Sequence, residues 1–127
     1  MRIPATFCGI ALIAGFMSIA HAQEYPARPI RIIVPTLPGG SSDILARLIG
    51  GKLHDRWGQP VIVDNRGGAG QMIGADAVAK SAADGYTVLL PTITYTTSAA
   101  TQSRLPFDPV NDLVGVTMIG DGPFLVT

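Results

Sequence analysis

Cysteine, histidine and charge are all scarce in this chain, and each scarcity excludes something. Cys8 is the only cysteine among 127 residues, so no disulfide framework can form within the chain. Only 14% of the residues are charged, and acids and bases balance at a net charge of zero. That excludes the strongly basic signature of a nucleic-acid binder. The chain is not poor in apolar residues either, as a disordered chain would be, since 47% are hydrophobic. A bilayer-spanning run of about 20 apolar residues is also missing. The uncharged, largely apolar stretch from Phe7 to Ala20 is too short and too lightly flanked for that.

That stretch has the order of parts of an export leader. Arg2 supplies the positive start, and Ala20-His21-Ala22 supplies the small-x-small ending that a signal peptidase reads. The sequence therefore predicts a signal peptide over residues 1–22, with cleavage before Gln23. Removing 22 of the 127 residues leaves 105, with 8 basic against 9 acidic side chains and a net charge of −1. Cys8 and His21 leave with the leader, so the exported chain has no thiolate and only His54 as a histidine. Export without cysteine suits a bacterial periplasm, where disulfides are permitted but not required. About 100 residues suffice for one modest domain.

Along residues 23–127 the apolar pattern alternates between two periods. Ile30-Arg31-Ile32-Ile33-Val34 is short and β-branched, which predicts a strand. Thr36-Leu37-Pro38-Gly39-Gly40 is turn chemistry, and Ser41, Ser42 and Asp43 offer N-cap side chains. Leu45, Ile49, Leu53 and Trp57 then recur at steps of four, with Ile44 and Leu48 beside them. This spacing predicts an amphipathic helix over 42–57, stopped by Gly58 and Pro60. The cycle repeats with a strand at Val61-Ile62-Val63, a glycine-rich loop over 65–70, an alanine-rich helix from Gln71 to Ala82, and a strand over 86–90. Two strand–helix–strand units in succession imply a parallel sheet with flanking helices, a doubly wound α/β core. Beyond it the pattern predicts a hydroxyl-rich loop over 92–98, a short helix near 98–103 and a strand from Leu113 to Ile119. Phe124 to Thr127 reads as a strand with no closing turn, which suggests a fragment of a longer protein.

In open parallel sheets, ligands sit beyond the carboxyl ends of the strands. Three loops are expected to converge there: 35–42, 65–70 and 91–98. Two feed helix N-termini, where unpaired N–H groups and the macrodipole attract anions. None carries a lysine, and only Arg66 brings a cation. The guest such loops would hold is a small anion, a carboxylate or a phosphate, bound by amides and hydroxyls. Each feature also has a plain structural reading. Gly39-Gly40 could be only a tight turn, Asp43 could cap its helix or recognise a ligand amine or hydroxyl, and Arg66 could be a surface cation. Gly68 to Gly74 gives G-x-G-x-x-x-G, not the dinucleotide spacing, and Gly51-Lys52 lacks the rest of a P-loop. His54 has no second histidine or cysteine for a metal, and nothing in the sequence pattern supplies a base for Ser41 or Ser42. No catalytic residue, metal or cofactor is predicted.

The motifs Tyr25-Pro-Ala-Arg-Pro-Ile30, Gly39-Gly-Ser-Ser-Asp43, Ala46-Arg47, Gly58-Gln-Pro-Val61 and Asp64-Asn-Arg66 run in a familiar order. Gly68-Ala-Gly70, Ile73-Gly-Ala-Asp76, Ala83-Asp-Gly-Tyr-Thr87 and Leu105-Pro-Phe-Asp-Pro109 continue it. Together they resemble the mature N-terminal part of the Bug-type extracytoplasmic solute receptors of tripartite tricarboxylate transporters, over essentially all of residues 25–127. The resemblance implies a type II periplasmic binding protein, two α/β lobes closing on a solute, of which residues 23–127 form part of the first lobe without the second. It implies a small-carboxylate ligand, membrane transporter subunits as partners, and no enzymatic chemistry. In the family, the loop after the first strand holds waters that bridge a ligand carboxylate, and the loop after the third strand faces the cleft. Carried onto this sequence, those loops assign ligand binding to Thr36, Leu37, Gly39, Gly40, Ser41, Ser42 and Asp43, and to Thr92, Thr94 and Tyr95. Leu37-Pro38 and Pro91 depart from the family pattern, which bears on ligand identity more than on fold. The competing readings are an exported α/β enzyme acting on a small anion, and a truncated product without function.

Overall fold

Four of the five residues in Ile30–Val34 are β-branched, and they form the central strand, β1 (Ile30–Val34), of a three-stranded parallel sheet. The computed structural model describes residues 24–121. β1 is buried at every position except Arg31, because it has a neighbour on each side. β2 (Val61–Asn65) pairs with it from Ile30↔Val61 to Val34↔Asn65, and β3 (Thr87–Leu89) from Arg31↔Thr87 to Ile33↔Leu89.

The helices are α1 (Ser41–Trp57), α2 (Met72–Ala79), which follows a 3₁₀ turn at Ala69–Gln71, and α3 (Ile93–Thr101). Side chains alternate across a strand, so the sheet feeds two cores. Ile32 and Val34 pack with Ala46 of α1, Leu90 and the half-buried Val61, Val63 and Val88. On the opposite face Leu89 meets Met72 and Ala75 of α2, together with Phe107, Tyr95 and Ala99. A parallel sheet is stable only when both faces are covered in this way. The architecture is the expected one.

At the amino ends of the strands, aromatic residues close the layer. Tyr25 packs edge-on against Trp57 at 6.1 Å and lies 5.0 Å from Tyr86, between ring centroids. The Tyr25 hydroxyl donates to the Gly85 carbonyl at 2.7 Å, and Arg28 stacks 4.3 Å from the Tyr86 centroid while pairing with Asp84. These contacts secure the segment that leads into β1.

Several local expectations are corrected. α1 buries a stripe of small and polar residues, Ser42, Asp43, Ala46 and Gly50. Leu45, Ile49 and Leu53 lie half-buried at its flank, while Ile44 and Leu48 remain 63% and 61% exposed. Small side chains let the helix axis approach the sheet, so the buried line runs one residue beside the leucine line. α2 ends at Ala79, short of the expected Ala82, where Ser81 Oγ takes the Val78 carbonyl at 2.7 Å. β2 runs through Asn65, so the glycine-rich loop begins one residue later.

The hydroxyl-rich stretch expected as a loop is the helix α3. Thr97 and Thr101 donate to the carbonyls of Ile93 and Thr97 at 3.1 and 2.9 Å, and Tyr95 and Ala99 find a core to pack against. Tertiary packing overrides a weak helix propensity. Leu113 to Ile119 is not a strand. It pairs with nothing among the described residues, and Val114 and Val116 stand 89% and 85% exposed. A strand needs a neighbour to complete its backbone hydrogen bonds. The leader at 1–22 and the strand expected at Phe124–Thr127 lie outside the described residues.

Candidate functional site

The loop between β1 and α1 is built by two glycines with different tasks. Gly39 sits at φ +85, a conformation that only a residue without Cβ adopts freely, and it turns the chain. Gly40 has φ −77 and ψ 171, which any residue could adopt, and a Cβ there would meet nothing closer than the Leu37 carbonyl oxygen at 3.7 Å. Its lack of a side chain therefore serves neither backbone strain nor packing. It leaves open space in front of a helix N-terminus.

That terminus is bare. Gly40 is the N-cap, and none of the expected Ser41, Ser42 or Asp43 side chains caps the helix. The first backbone bond runs from Ile44 N–H to the Gly40 carbonyl at 3.0 Å. The amides of Ser41, Ser42 and Asp43 thus have no partner within the helix. Asp43, 4% exposed, turns its carboxylate backwards. Oδ2 accepts from the Gly39 amide at 2.9 Å, and Oδ1 lies 3.0 Å from an Arg47 guanidinium nitrogen. Hydrogen bonding from Arg47 first, and from Gly39 second, holds the Asp43 carboxyl below the usual aspartate range. Its charge is fixed and matched, so it stabilises the loop without presenting an unpaired anion to the helix end. Beside it, Thr36 Oγ1 is shielded from solvent with no hydrogen-bond partner among the described residues. Leu37 projects outward, 78% exposed.

The end of β2 and the loop after it tie the other two together. Asn65 Nδ2 donates to the Thr36 carbonyl at 3.4 Å and its Oδ1 accepts from Arg47 at 3.3 Å, while Gly67 lies against the backbone of Thr36 and Leu37. On its far side Gln71, 6% exposed and at φ +76, reaches Thr92 with both ends of its amide. Oε1 accepts from Thr92 N–H at 3.0 Å and Nε2 donates to Thr92 Oγ1. A Cβ on Gly70 would collide with Ser98 of α3. Arg66, the one cation read from these loops, is paired with Asp64 at 3.0 Å.

Thr92 is the N-cap of α3, and its side chain makes no capping bond. The structure thus links Thr92 to the Thr36–Asp43 loop through Asn65 and Gln71. Thr94 lies exposed on α3. Tyr95 turns into the second core; its hydroxyl is 3.4 Å from the Pro109 carbonyl, and burial pushes the phenol upward. Asn65, Gln71 and Arg47 are the residues that sequence reasoning missed. Their partners lie between 4 and 29 positions away, and for Asn65 and Gln71 no local pattern announces the contact.

The assembled surface is rich in donors: helix-start amides and the hydroxyls of Ser41 and Thr92. His54 lies thirteen residues from Ser41 on α1, about 20 Å at 1.5 Å per residue. Its Nδ1 is bonded to the Gln59 carbonyl at 3.0 Å, a structural role. No group of three metal-ligating side chains occurs among the described residues. The arrangement is suited to holding an anion.

Comparison with known proteins points the same way. Residues 45–127 match the family described as tripartite tricarboxylate transporter family receptor. The chain is 48% identical over 115 residues to Protein BugT of Bordetella pertussis, covering 89% of this chain and 35% of that protein. Among solved structures it resembles MatC from Rhodopseudomonas palustris with bound malate, with a TM-score of 0.63 and 34% identity over 69% of this chain and 30% of that one. A second R. palustris protein, solved with adipate, gives a TM-score of 0.52 and 43% identity, over 53% of this chain and 22% of that one. The chain spans about a third of the length of the curated relatives it matches.

Proposed function

This chain belongs to the tripartite tricarboxylate transporter receptor family, and from that premise we propose that it contributes the first-lobe wall of a periplasmic receptor that captures a small carboxylate for a membrane transporter. The observation that carries the reading is the bare N-terminus of α1: glycine at the N-cap, room before it, and its one acidic neighbour neutralised by Arg47. Amide donors there would hold a carboxylate directly or through bridging waters. The solute-contacting residues we assign are Thr36, Leu37, Gly39, Gly40, Ser41, Ser42 and Asp43 on one side, with Thr92 and Thr94 on the other, while Tyr95, packed into the second core, braces α3 from behind. Malate in one relative and adipate in another support a dicarboxylate as solute. Capture without chemistry fits this donor set, since the carboxylate next to Ser41 and Ser42, that of Asp43, is held by Gly39 and Arg47. We read residues 23–127 as part of the first lobe, following a leader at 1–22.

Titration calorimetry of the receptor against dicarboxylates of four to six carbons tests the function. Binding of at least one of them, with no heat from the matching diamines, is the expected result. Selective binding of an amine or a neutral sugar would refute it. For the leader, mass spectrometry of the periplasmic product should find Gln23 at or near the N-terminus. An intact Met1 would remove the export reading.

A further inference from the structure

Gln71 carries two costs that its own loop does not explain. It is a side-chain-bearing residue at φ +76, and its amide is buried at 6% exposure. Glycine would occupy that backbone position without strain, and an apolar side chain would avoid burying an amide. What the glutamine adds is a two-point grip on Thr92. The orientation of the grip follows from chemistry. Thr92 N–H can only donate, so the amide oxygen faces it at 3.0 Å and the amide nitrogen faces Thr92 Oγ1. Thr92 Oγ1 thereby receives a hydrogen bond, and its own proton is left for another acceptor. No described residue takes that proton, and the hydroxyl makes no capping bond to α3.

We infer that Gln71 is a positioning residue that occupies one lone pair of the Thr92 hydroxyl and so directs its proton into the cleft, favouring a solute that bears an acceptor such as carboxylate. This rests on the cleft reading proposed above and names a determinant of its specificity. A glutamate at 71 makes the contrast. When ionised it only accepts, so Thr92 would turn both its N–H and its O–H towards residue 71 and present lone pairs to the solute. When protonated, glutamate regains one donor and one acceptor and mimics the amide.

The test titrates malate and adipate into the full receptor as wild type, Gln71→Glu, Gln71→Gly, Thr92→Val and the Gln71→Glu/Thr92→Val double variant, at pH 7.5 and pH 5. Gln71→Glu is expected to bind roughly tenfold more weakly than wild type at pH 7.5, and the ratio of the two affinities is expected to narrow at pH 5, where protonation of the dicarboxylates themselves weakens both proteins alike. On the Thr92→Val background the same substitution is expected to add no further loss. Equal affinity of Gln71→Glu and wild type at both pH values overturns the inference, as does an undiminished penalty without the Thr92 hydroxyl. Gln71→Gly relieves the backbone strain, so it reports the loss of the grip without a folding defect. Hydrogen exchange at the Thr92 amide separates the two readings. A protected Thr92 amide that is released in Gln71→Gly, in a wild-type receptor that binds no dicarboxylate, refutes the cleft reading while the grip stands. A Thr92 amide that exchanges freely in wild type refutes the grip itself.

Discussion

Replacing Gly40 with valine is expected to abolish solute capture while α1 and the sheet survive. The backbone there, at φ −77 and ψ 171, lies in the region that β-branched residues prefer, and a Cβ has 3.7 Å of clearance from its nearest neighbour. Valine is a poor N-cap, and the loss of helix stability is about 1 kcal/mol. Its two methyl groups would, however, occupy the space before the amides of Ser41, Ser42 and Asp43. Hydrogen bonds to a charged group contribute about 1.5–3 kcal/mol each, so excluding even two of them lowers affinity by at least about 100-fold. Calorimetry with malate or adipate would read that loss, and circular dichroism would report the intact helix. Wild-type affinity in this variant would reduce Gly39-Gly40 to a turn and move the site elsewhere.

Gly74→Val is expected to have the opposite profile, with loss of the fold before any question of binding arises. A Cβ at Gly74 would lie 2.8 Å from Pro35 Cβ, 3.0 Å from the Arg66 carbonyl oxygen and 3.1 Å from Pro35 Cα. Two of these three atoms belong to backbone that β1 and the loop after β2 hold in place. α2 would have to lift off the sheet end, at a cost of about 3 kcal/mol for overpacking a buried contact. Gly51 provides the matched control. It is also a glycine inside a helix, but a Cβ there meets nothing within 4 Å. Gly51→Ala should therefore stabilise by about 1 kcal/mol through helix propensity alone. Urea unfolding of both variants decides the matter, and a Gly74→Val receptor as stable as wild type would show that α2 is not pinned at this point.

These two glycines illustrate what could be read in advance. Both stand in glycine-bearing motifs of the same sequence, yet one is small because a helix needs to touch a proline and the other because a helix end stays open. Nothing local distinguishes them. β1 was legible for a local reason, since a run of β-branched residues next to turn chemistry has few alternatives. α1 was legible in extent but not in orientation. Its four-step leucine line marks a helix, while the face that meets the sheet is chosen by how closely Ala46 and Gly50 allow it to approach. α3 was legible only at its end, as a short helix near 98–103, because threonine and serine are ambiguous by themselves, and their hydroxyls bond helix carbonyls only once Tyr95 and Ala99 have a core to enter.

By itself, then, the sequence determined the parallel α/β core, the family, and the three loops from which a site could be made, because period, turn residues and ordered short motifs are properties of neighbours along the chain. The tertiary structure alone decided which atoms of those loops remain available. It turned Asp43 back onto Gly39 and Arg47, folded Tyr95 inward and paired Arg66 with Asp64. It also used Asn65 and Gln71 to hold the loops together. Such assignments depend on where side chains distant in sequence meet, and hydrogen bonds of about 3 Å are settled only when the strands and helices have packed.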